Sequence, residues 1–475
     1  MRVAVVGAGV GGLACAVRLA AAGHAVTVLE QAPAAGGKAG RVELSEAGRT
    51  WRFDSGPSLL TMPWVLQELC AQTGTPPPEL IPVEPVTHYH FADGSTVDLS
   101  ADHAASVAAL DRWSPGSGAD WTRFLRICAA MWRASGPFLT GPPPWPPRRP
   151  GPGEAPPDPR DALRVRPWHT VSSLARSVAR DPRLRMVIER FATYAGADPR
   201  RAPAALVLAG YVEHAFGAWH VPGGLYGIVE ALTGRLAELG GVLRTGTPVL
   251  GVVRDGARVT GVRTLDGLLA ADAVVFDGDA RALEAALRGG DPHRRRHEPS
   301  VSGLALMLAL EGRTPGLVHH QIRFPADYHA EFDDLFAHRR PVRDPTLYLS
   351  ASCATVPAEA PEDGENWFVL VNAPAGVAAD WEAEADRVVA ALGVGARVVA
   401  RHVRSPASLE AETGAVGGAI YGDAPHGRLA TLRRPGPRVP GVRGLFRVGG
   451  TAHPGGGLPL VMLGAAHVAG ELGPA

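Results

Sequence analysis

The sequence predicts an α/β protein, and three parts of the chain support that fold class. Residues 1–30 have the pattern of a strand, a glycine loop, a helix and a second strand, the order of a parallel βαβ unit. Residues 445–472 repeat part of that order, with a strand, another glycine-rich loop and a helix. Between these ends, residues 101–240 have helical patterns, and residues 301–410 alternate strands with helices. A chain of 475 residues is too long for one compact core, so more than one domain is expected.

The N-terminal unit predicts a Rossmann-type fold. Val3–Val6 is short, apolar and rich in β-branched residues, which favours a buried parallel strand. Leu13–Ala22 carries small and apolar residues at helical spacing, and Gly23 is placed to end that helix. Val26–Leu29 predicts the second strand. These elements enclose a glycine loop that carries the functional prediction.

The glycine loop predicts a dinucleotide site. Gly7, Gly9 and Gly12 have the spacing G-x-G-x-x-G, which permits a tight turn, close approach to a pyrophosphate and close helix packing. The N-terminus of the helix would face the phosphates with free N–H groups and a positive dipole end. Glu30 ends the second strand, where an acid can accept hydrogen bonds from a ribose diol, and it argues against NADP. The alternative is a βαβ unit that no longer binds a cofactor.

Charge and cysteine content exclude some classes of protein. Lys+Arg and Asp+Glu are equal at 47 each, so no net positive charge favours nucleic acid as a partner. Lys38 is the only lysine. The cysteines have no C-x-x-C pair and no metal-ligand spacing, so no metal site is expected and a reducing compartment is favoured. They are Cys15, Cys70, Cys128 and Cys353.

The apolar character of the N-terminus has two interpretations. Val3–Ala22 is apolar enough to resemble a signal peptide or a spanning helix, but the glycine fingerprint explains its composition better. No other uninterrupted apolar run reaches spanning length. The expected location is therefore cytoplasmic, with the protein soluble or peripherally associated with a membrane.

Alternating patterns predict antiparallel strands. Arg41–Leu44 with Thr50–Phe53, and Thr87–Leu99 with its turn at residues 93–94, predict two hairpins. Four segments predict a small antiparallel meander: Val242–Arg244, Val249–Arg254, Ala257–Thr264 and Leu268–Phe276. A second α+β lobe is predicted from strands at Leu304–Glu311, Thr346–Ser350 and Phe368–Asn372 and from helices near Tyr328–Ala337 and Trp381–Leu392.

Tryptophans mark the helical region. Five of the ten tryptophans lie between Trp113 and Trp168, interleaved with arginines, and a proline-dominated loop spans residues 141–159. Core packing in a helical lobe is one interpretation. The other is an interfacial belt, with Trp and Arg at the depth of lipid headgroups and with Phe138 and Leu139 dipping deeper.

Both ends of the chain together carry a family resemblance. The segment Val448–Pro459, joined to the N-terminal fingerprint, resembles the flavin-dependent carotenoid desaturases, the bacterial phytoene desaturase group of the amine-oxidase-like FAD superfamily. Asp54–Pro57 is similar to the family's aspartate-x-glycine-proline segment. Gly417–Gly422 looks closer to the desaturases of hydroxylated acyclic carotenoids. One departure is Phe276–Asp279, where relatives usually carry a serine- or alanine-asparagine-alanine-aspartate segment.

The resemblance implies FAD as the cofactor and a role for each matched position. The first glycine loop would hold the pyrophosphate, Glu30 the adenosine ribose, and Val249 would offer backbone groups to the adenine. The helix that follows the C-terminal loop would face the pyrimidine edge of the flavin, where a helix N-terminus stabilises negative charge. The implied cofactor residues are Gly7, Gly9, Val10, Gly11, Gly12, Glu30, Gly37, Lys38, Gly56, Pro57, Ser58, Val249, Gly450, Thr451, Gly457 and Leu458.

The resemblance also implies a reaction. A hydride would leave an allylic carbon of a long hydrophobic polyene for flavin N5, a proton would leave the neighbouring carbon, and a conjugated double bond would form. The favoured substrate is a 1-hydroxy acyclic carotenoid, with phytoene as the alternative, and oxygen or a quinone would accept the electrons. His453 is the catalytic candidate, and its alternative is a structural histidine that fixes the loop. Other possible functions are a carotenoid isomerase, another amine-oxidase-like flavoprotein, and a non-enzymatic lipid carrier.

These patterns divide the chain into five predicted segments. Residues 1–100, 241–290 and 441–475 are assigned to the FAD-binding domain as its N-terminal part, its meander with return strand, and its C-terminal strand, loop and helix. Residues 101–240 form the helical lobe, for which membrane association is one interpretation, and residues 291–440 form the α+β substrate lobe.

Overall fold

The computed structural model describes residues 1–141, 159–294 and 297–475. Its strands are β1 Arg2–Val6, β2 Ala25–Leu29, β3 Arg41–Glu46, β4 Arg49–Asp54, β5 Ile81–Pro82, β6 Thr87–His90, β7 Thr96–Leu99, β8 Trp219–His220, β9 Val242–Arg244, β10 Gly251–Asp255, β11 Arg258–Thr264, β12 Gly267–Ala270, β13 Ala273–Phe276, β14 Ser302–Glu311, β15 His320–Arg323, β16 Leu347–Ser350, β17 Gly364–Ala373, β18 Val398–Arg404 and β19 Leu445–Arg447. Its helices are α1 Val10–Ala21, α2 Pro63–Thr73, α3 His103–Trp113, α4 Ser117–Thr140, α5 Pro159–Arg164, α6 Val171–Val178, α7 Pro182–Arg190, α8 Leu208–Phe216, α9 Tyr226–Glu238, α10 Ala280–Arg288, α11 Tyr328–Phe332, α12 Trp381–Leu392, α13 Pro406–Thr413 and α14 Leu458–Leu472.

Both ends of the chain enter one parallel sheet. Its strand order is β19-β13-β1-β2-β9, and each neighbouring pair runs parallel. The apolar run of β1 is explained by its position inside the sheet, where Val3 and Val5 are buried. Helices α1 and α14 pack into the same core, in which Leu13 and Met462 are fully buried. The predicted strands and helices at both termini are confirmed.

A seven-stranded sheet forms the second layer of the fold. Its order is β18-β14-β17-β16-β15-β6-β7, and β14 pairs antiparallel with β17 along all ten of its residues. Leu306 and Leu308 pack towards the core that contains α12, whereas Met307 packs with Trp51 of the β3–β4 hairpin. Both faces of β14 are therefore covered, as its continuous apolar sequence requires.

The structure changes two predicted strand partnerships. Only β10, β11 and β12 form the antiparallel meander, because Val242–Arg244 and Ala273–Phe276 pair in the parallel sheet instead. The Thr87–Leu99 hairpin is formed, but β6 pairs parallel with β15. A hairpin assigned to the predicted FAD-binding segment 1–100 therefore joins a strand of the predicted α+β lobe, residues 291–440. Alternation in a sequence predicts strands, but pairing between distant segments leaves no local signal.

The helical lobe buries some of the clustered tryptophans. Trp121 is fully buried in the core of α3 to α8, which excludes it from an interfacial belt. Trp132 is half-buried against Tyr211 and Phe216, and Trp168 is exposed. The core-packing interpretation therefore fits part of the cluster. Trp145 and most of the loop at 141–159 lie outside the described residues.

In the part of the chain that the structure describes, no helix combines the length and the apolar character needed to cross a bilayer.

Candidate functional site

A cavity of about 620 Å³ lies where the parallel sheet meets the seven-stranded sheet. Val6, Leu29 and Phe276 border it, and they are the last residues of β1, β2 and β13. The carboxyl edge of a parallel sheet is the usual place for a ligand in α/β folds. On the other side, β14 to β17 contribute apolar residues. The cavity therefore has a glycine-lined part and an apolar part.

The glycine-lined part begins at the turn from β1 to α1. Gly7 has a φ of +100°, which favours glycine, and its N–H donates to the carbonyl of Leu29 at 2.8 Å. Gly9 is the N-cap of α1, so the first N–H groups of the helix have no intrahelical acceptor at the cavity wall. Gly12 lies behind this surface, because a Cβ there would overlap the carbonyl oxygen of Gly7. This cradle is shaped for an anion.

Glu30 is buried beside the cradle. One of its carboxylate oxygens accepts from the N–H of Ala8 at 2.7 Å, and the other accepts from the N–H of Ala32 at 2.9 Å. Each oxygen has a second lone pair, and Glu30 borders the cavity. The backbone thus fixes the carboxylate and leaves it capacity to accept hydrogen bonds from a diol.

The C-terminal glycine loop closes on the same cavity. The Thr451 hydroxyl accepts from the N–H of Ala280 at 2.9 Å and donates to the carbonyl of Gly278 at 3.1 Å. These bonds tie the loop to the end of β13. Gly457 and Leu458 border the cavity where α14 begins, so a second helix N-terminus faces it.

Lys38, the only lysine in the sequence, lies at the cavity wall. Its Nζ donates to the carbonyl of Ile420 at 2.6 Å. Burial lowers the pKa of its ammonium group to about 8, and the nearby carboxylates of Asp279 and Asp277 oppose that change. An anionic ligand at this wall would restore its full positive charge.

Asp277 is a site residue that the sequence analysis noted only as a departure from the family pattern. Its carboxylate accepts from the N–H of Gly12 at 2.7 Å and borders the cavity. Its pKa is raised to about 6, because burial and then the neighbouring Glu30 raise it by more than the Gly12 N–H and Lys38 lower it. The sequence does place an acid directly after the strand Ala273–Phe276. It does not show that this strand pairs with β1, which is what brings Asp277 to the glycine loop.

The apolar part of the cavity is formed by the seven-stranded sheet and the segment before α2. Its wall includes Ile322, Phe368 and Leu370. The hydroxyl groups of Ser58 and Tyr348, which also border it, are hydrogen-bonded at 2.6 Å. Burial raises the pKa of Tyr348 to about 12, so its phenol stays protonated at neutral pH. This wall suits a hydrocarbon chain.

The predicted cofactor residues meet at this cavity with one exception, Gly12, which packs behind it. Those that border it are Gly7, Gly9, Val10, Gly11, Glu30, Gly37, Lys38, Gly56, Pro57, Ser58, Val249, Gly450, Thr451, Gly457 and Leu458. Their contacts with a cofactor stay a prediction.

Comparison with known proteins identifies the family. A family model described as flavin containing amine oxidoreductase matches residues 10–299. The chain is 36% identical to the hydroxyneurosporene desaturase of Cereibacter sphaeroides, over 98% of this chain and 96% of that protein. The chain belongs to the flavin-containing amine oxidoreductase family. It is also 32% identical to the 4,4'-diapolycopene oxygenase of a Methylomonas species, over 97% of this chain and 96% of that protein.

A solved structure supports the same fold. An oxidoreductase from Methanosarcina mazei aligns with a TM-score of 0.62 at 19% identity, over 98% of this chain and 99% of that one. At this identity the likeness concerns the fold alone.

The cofactor of this flavin-containing amine oxidoreductase is FAD, and the residues present fit it. The glycine cradle at α1 has the shape and the dipole for a pyrophosphate, and Glu30 is fixed beside it. The N-terminus of α14 can stabilise negative charge at the pyrimidine edge of a flavin. The two ends of the chain therefore border one cavity, in which they could hold the two ends of a dinucleotide.

His453 lies away from the cavity wall. Its Nε2 is 3.1 Å from the carbonyl oxygen of Gly141, and its ring stacks on His467 and meets Phe138 edge-on. Burial lowers its pKa to about 4, so it stays neutral. This arrangement favours the structural alternative, in which the histidine fixes the loop, over the catalytic prediction.

Loading with FAD is expected to protect Lys38 from amine-modifying reagents. A lysine with a pKa near 8 has a reactive neutral form at mildly alkaline pH, and a bound pyrophosphate would both cover it and raise its pKa. Acetylation followed by mass spectrometry should report modified Lys38 in the apoprotein and should report little or no modification of Lys38 after FAD is added. Equal acetylation of Lys38 with and without FAD would place the cofactor elsewhere.

Proposed function

We propose that this protein is an FAD-dependent desaturase that forms a new conjugated double bond in an acyclic carotenoid, with a 1-hydroxy acyclic carotenoid as the favoured substrate. The observation that carries the proposal is the single cavity, which joins the glycine cradle to an apolar wall. The relative from Cereibacter sphaeroides, named hydroxyneurosporene desaturase, supports it over nearly the full chain.

The residues at the glycine-lined part would bind the cofactor. The first glycine loop and Lys38 would hold the pyrophosphate side, and Glu30 would accept hydrogen bonds from the adenosine ribose. Val249 would meet the adenine, and Gly56, Pro57 and Ser58 would lie near the flavin ring, opposite the N-terminus of α14.

When bound, FAD supplies an acceptor for a hydride from an allylic carbon. The contribution of the chain is to align the polyene and to exclude water, which the apolar wall of Ile322, Phe368 and Leu370 can do. The electrons would pass on to oxygen or a quinone.

Product spectra test this proposal. FAD-loaded protein in liposomes is incubated with phytoene in one arm and with a 1-hydroxy acyclic carotenoid in the other. We expect longer-wavelength polyene bands to appear faster in the hydroxylated arm. Faster conversion of phytoene would assign the alternative substrate, a change of geometry without a longer chromophore would indicate an isomerase, and binding without conversion would indicate a carrier.

Membrane docking through the helical lobe is part of the proposal, because the substrate would be dissolved in a bilayer. Leu163 and Trp168 flank the end of α5 and are 60% and 52% exposed. Trp132 is a poor test residue because it packs inside the lobe. Replacing Leu163 with serine and Trp168 with alanine together should weaken liposome flotation by about tenfold or more, since each side chain can bury apolar surface in the interface.

The matched control for flotation replaces two leucines of the meander that are at least as exposed, Leu265 and Leu268, with serine. They are 76% and 62% exposed, so both double variants lose similar apolar surface. Equal flotation of the wild type and the Leu163/Trp168 variant, or an equal loss in both variants, would remove docking through this face.

A further inference from the structure

A buried ion pair reaches the wall of the cavity. It joins Arg190, the last residue of α7, to Glu213 in α8, with Nη2 3.6 Å from Oε2. Arg190 also donates to the hydroxyl of Tyr89 at 3.0 Å and to that of Tyr194 at 3.2 Å. Tyr194 donates in turn to the Glu213 carboxylate. These four residues are called the Arg190 cluster below.

Arg190 and Tyr194 of this cluster border the cavity, together with Tyr328. Arg190 and Glu213 are 6% and 1% exposed, and the guanidinium lies over the ring of Tyr194 at 5.2 Å. Taking a charge pair out of water costs several kcal/mol. Apolar residues of the same size at these positions often make a protein equally stable. A wall that needed only to hold a hydrocarbon would have no use for these groups.

The charge of the Arg190 cluster determines which ligand it can take. Its one cation is matched by the Glu213 carboxylate, and burial raises the pKa of Tyr194 well above its usual range, so the phenol stays neutral. A carboxylate or phosphate ligand would meet a cation that is already neutralised. An uncharged group that both donates and accepts hydrogen bonds fits better.

Two buried polar groups, one in the Arg190 cluster and one on Tyr328, have spare hydrogen-bonding capacity. Among the described residues, neither the Nε–H of Arg190 nor the hydroxyl of Tyr328 has a partner. Tyr328 packs edge-on against Phe324 and Phe332, which hold its ring at the cavity. A guanidinium N–H can only donate, whereas a phenol can donate and accept. An alcohol has the donor and the acceptor that can pair with either group.

We propose that Arg190, Tyr194 and Tyr328 form a recognition pocket for a hydroxyl group at one end of the substrate chain. The inference rests on the proposed function and deepens it, because an anchored hydroxyl sets which carbon–carbon bond lies beside the flavin. A hydrocarbon of the same length leaves the buried polar groups unpaired, and a site built for a hydroxyl rejects the analogue that lacks it. The pocket therefore makes the enzyme select hydroxylated over unhydroxylated chains.

The cleanest variant is Tyr328→Phe, because it removes a hydroxyl without a partner and keeps the packing of the ring. The kcat/KM ratio between a 1-hydroxy acyclic carotenoid and the same carotenoid without the hydroxyl is measured with FAD-loaded protein. We expect the wild type to favour the hydroxylated chain by about tenfold or more, and the variant to lose most of that preference. Tyr211→Phe is the matched control, since Tyr211 packs against Trp132 away from the cavity, and its ratio should equal that of the wild type.

A second variant removes the charge pair as a unit, Arg190→Met with Glu213→Leu, because removing one partner would leave a buried charge uncompensated. It should also lose selectivity. The affinity for the desaturated hydroxylated product can be measured from the quenching of tryptophan fluorescence. It should fall by about tenfold in the same variants, and this measurement does not depend on turnover.

The outcomes separate this inference from the proposed function. If the wild type converts both carotenoids with equal kcat/KM, or if Tyr328→Phe keeps both the wild-type preference and the product affinity, the recognition pocket is wrong. If the wild type converts neither carotenoid, the proposed function itself is wrong.

Discussion

Replacing Gly9 with alanine is expected to weaken FAD binding by about 30-fold, which corresponds to about 2 kcal/mol. The φ of Gly9 is −68°, so alanine causes no backbone strain there. Its Cβ would lie 2.6 Å from the Asp277 carboxylate, at the place where the backbone must approach the pyrophosphate. The loss would therefore come from the overlap at Asp277 and from the hindered approach to the pyrophosphate, and not from backbone strain. Flavin fluorescence titration of the apoprotein measures it.

The control for this substitution is Gly234→Ala in α9. A Cβ at Gly234 would meet nothing within 4 Å, so FAD affinity should not change, and helix propensity should favour the variant slightly. An unchanged dissociation constant for Gly9→Ala, with a normal thermal midpoint, would remove the glycine cradle from the cofactor site.

Replacing Asp277 with asparagine is expected to remove the pH dependence of FAD affinity between about pH 6 and pH 7, below the range in which Lys38 loses its proton. In the wild type, the raised pKa of about 6 means that Asp277 becomes an anion above that pH, next to the place of the pyrophosphate. If binding requires the protonated form, affinity falls by up to about tenfold for each pH unit above 6. Asparagine keeps the acceptor for the Gly12 N–H without the charge.

The same pKa predicts how stability depends on pH. The pKa of Asp277 is raised in the folded state from an ordinary value of 3.8 to about 6, so the folded protein binds the proton more tightly. Its contribution to stability is then present below pH 3.8 and is lost as the pH rises to 6. Chemical denaturation of both apoproteins should show the wild type losing stability relative to Asp277→Asn across that range. If the wild type and Asp277→Asn have parallel pH profiles, both in stability and in FAD affinity, the role given to this carboxylate is contradicted.

The termini of the fold could be predicted because their signals are local. The apolar run of β1, the glycine spacing after it and the acid at Glu30 lie within one βαβ unit. Each of them indicates the structure of residues that are close to it in the chain. The C-terminal strand, loop and helix carry the same kind of signal, and the structure places β19 two strands from β1. The convergence of both ends on one cavity was implied by the family resemblance that these two segments carry.

The remainder of the site depends on pairings that the sequence does not reveal. Asp277 meets Gly12 only because β13 lies beside β1, and these residues are 265 positions apart. Tyr89 contacts Arg190 only because the β6–β7 hairpin pairs with β15, which is far from it in the sequence. His453 is the catalytic candidate because it stands beside the C-terminal glycine loop, and its ring packs against Phe138 and His467, as the structural alternative would have it. Position along the chain did not indicate which way the side chain points.

The central claim is that FAD and an acyclic carotenoid chain occupy the same cavity and react there. Anaerobic mixing of the FAD-loaded protein with a 1-hydroxy acyclic carotenoid in liposomes tests it most directly, with flavin and polyene absorbance recorded together. The account predicts that the oxidised flavin bleaches at the same rate as the longer-wavelength polyene bands appear, in equal amounts. Polyene bands that shift while the flavin stays oxidised, or a flavin that bleaches only with an amine, would contradict it.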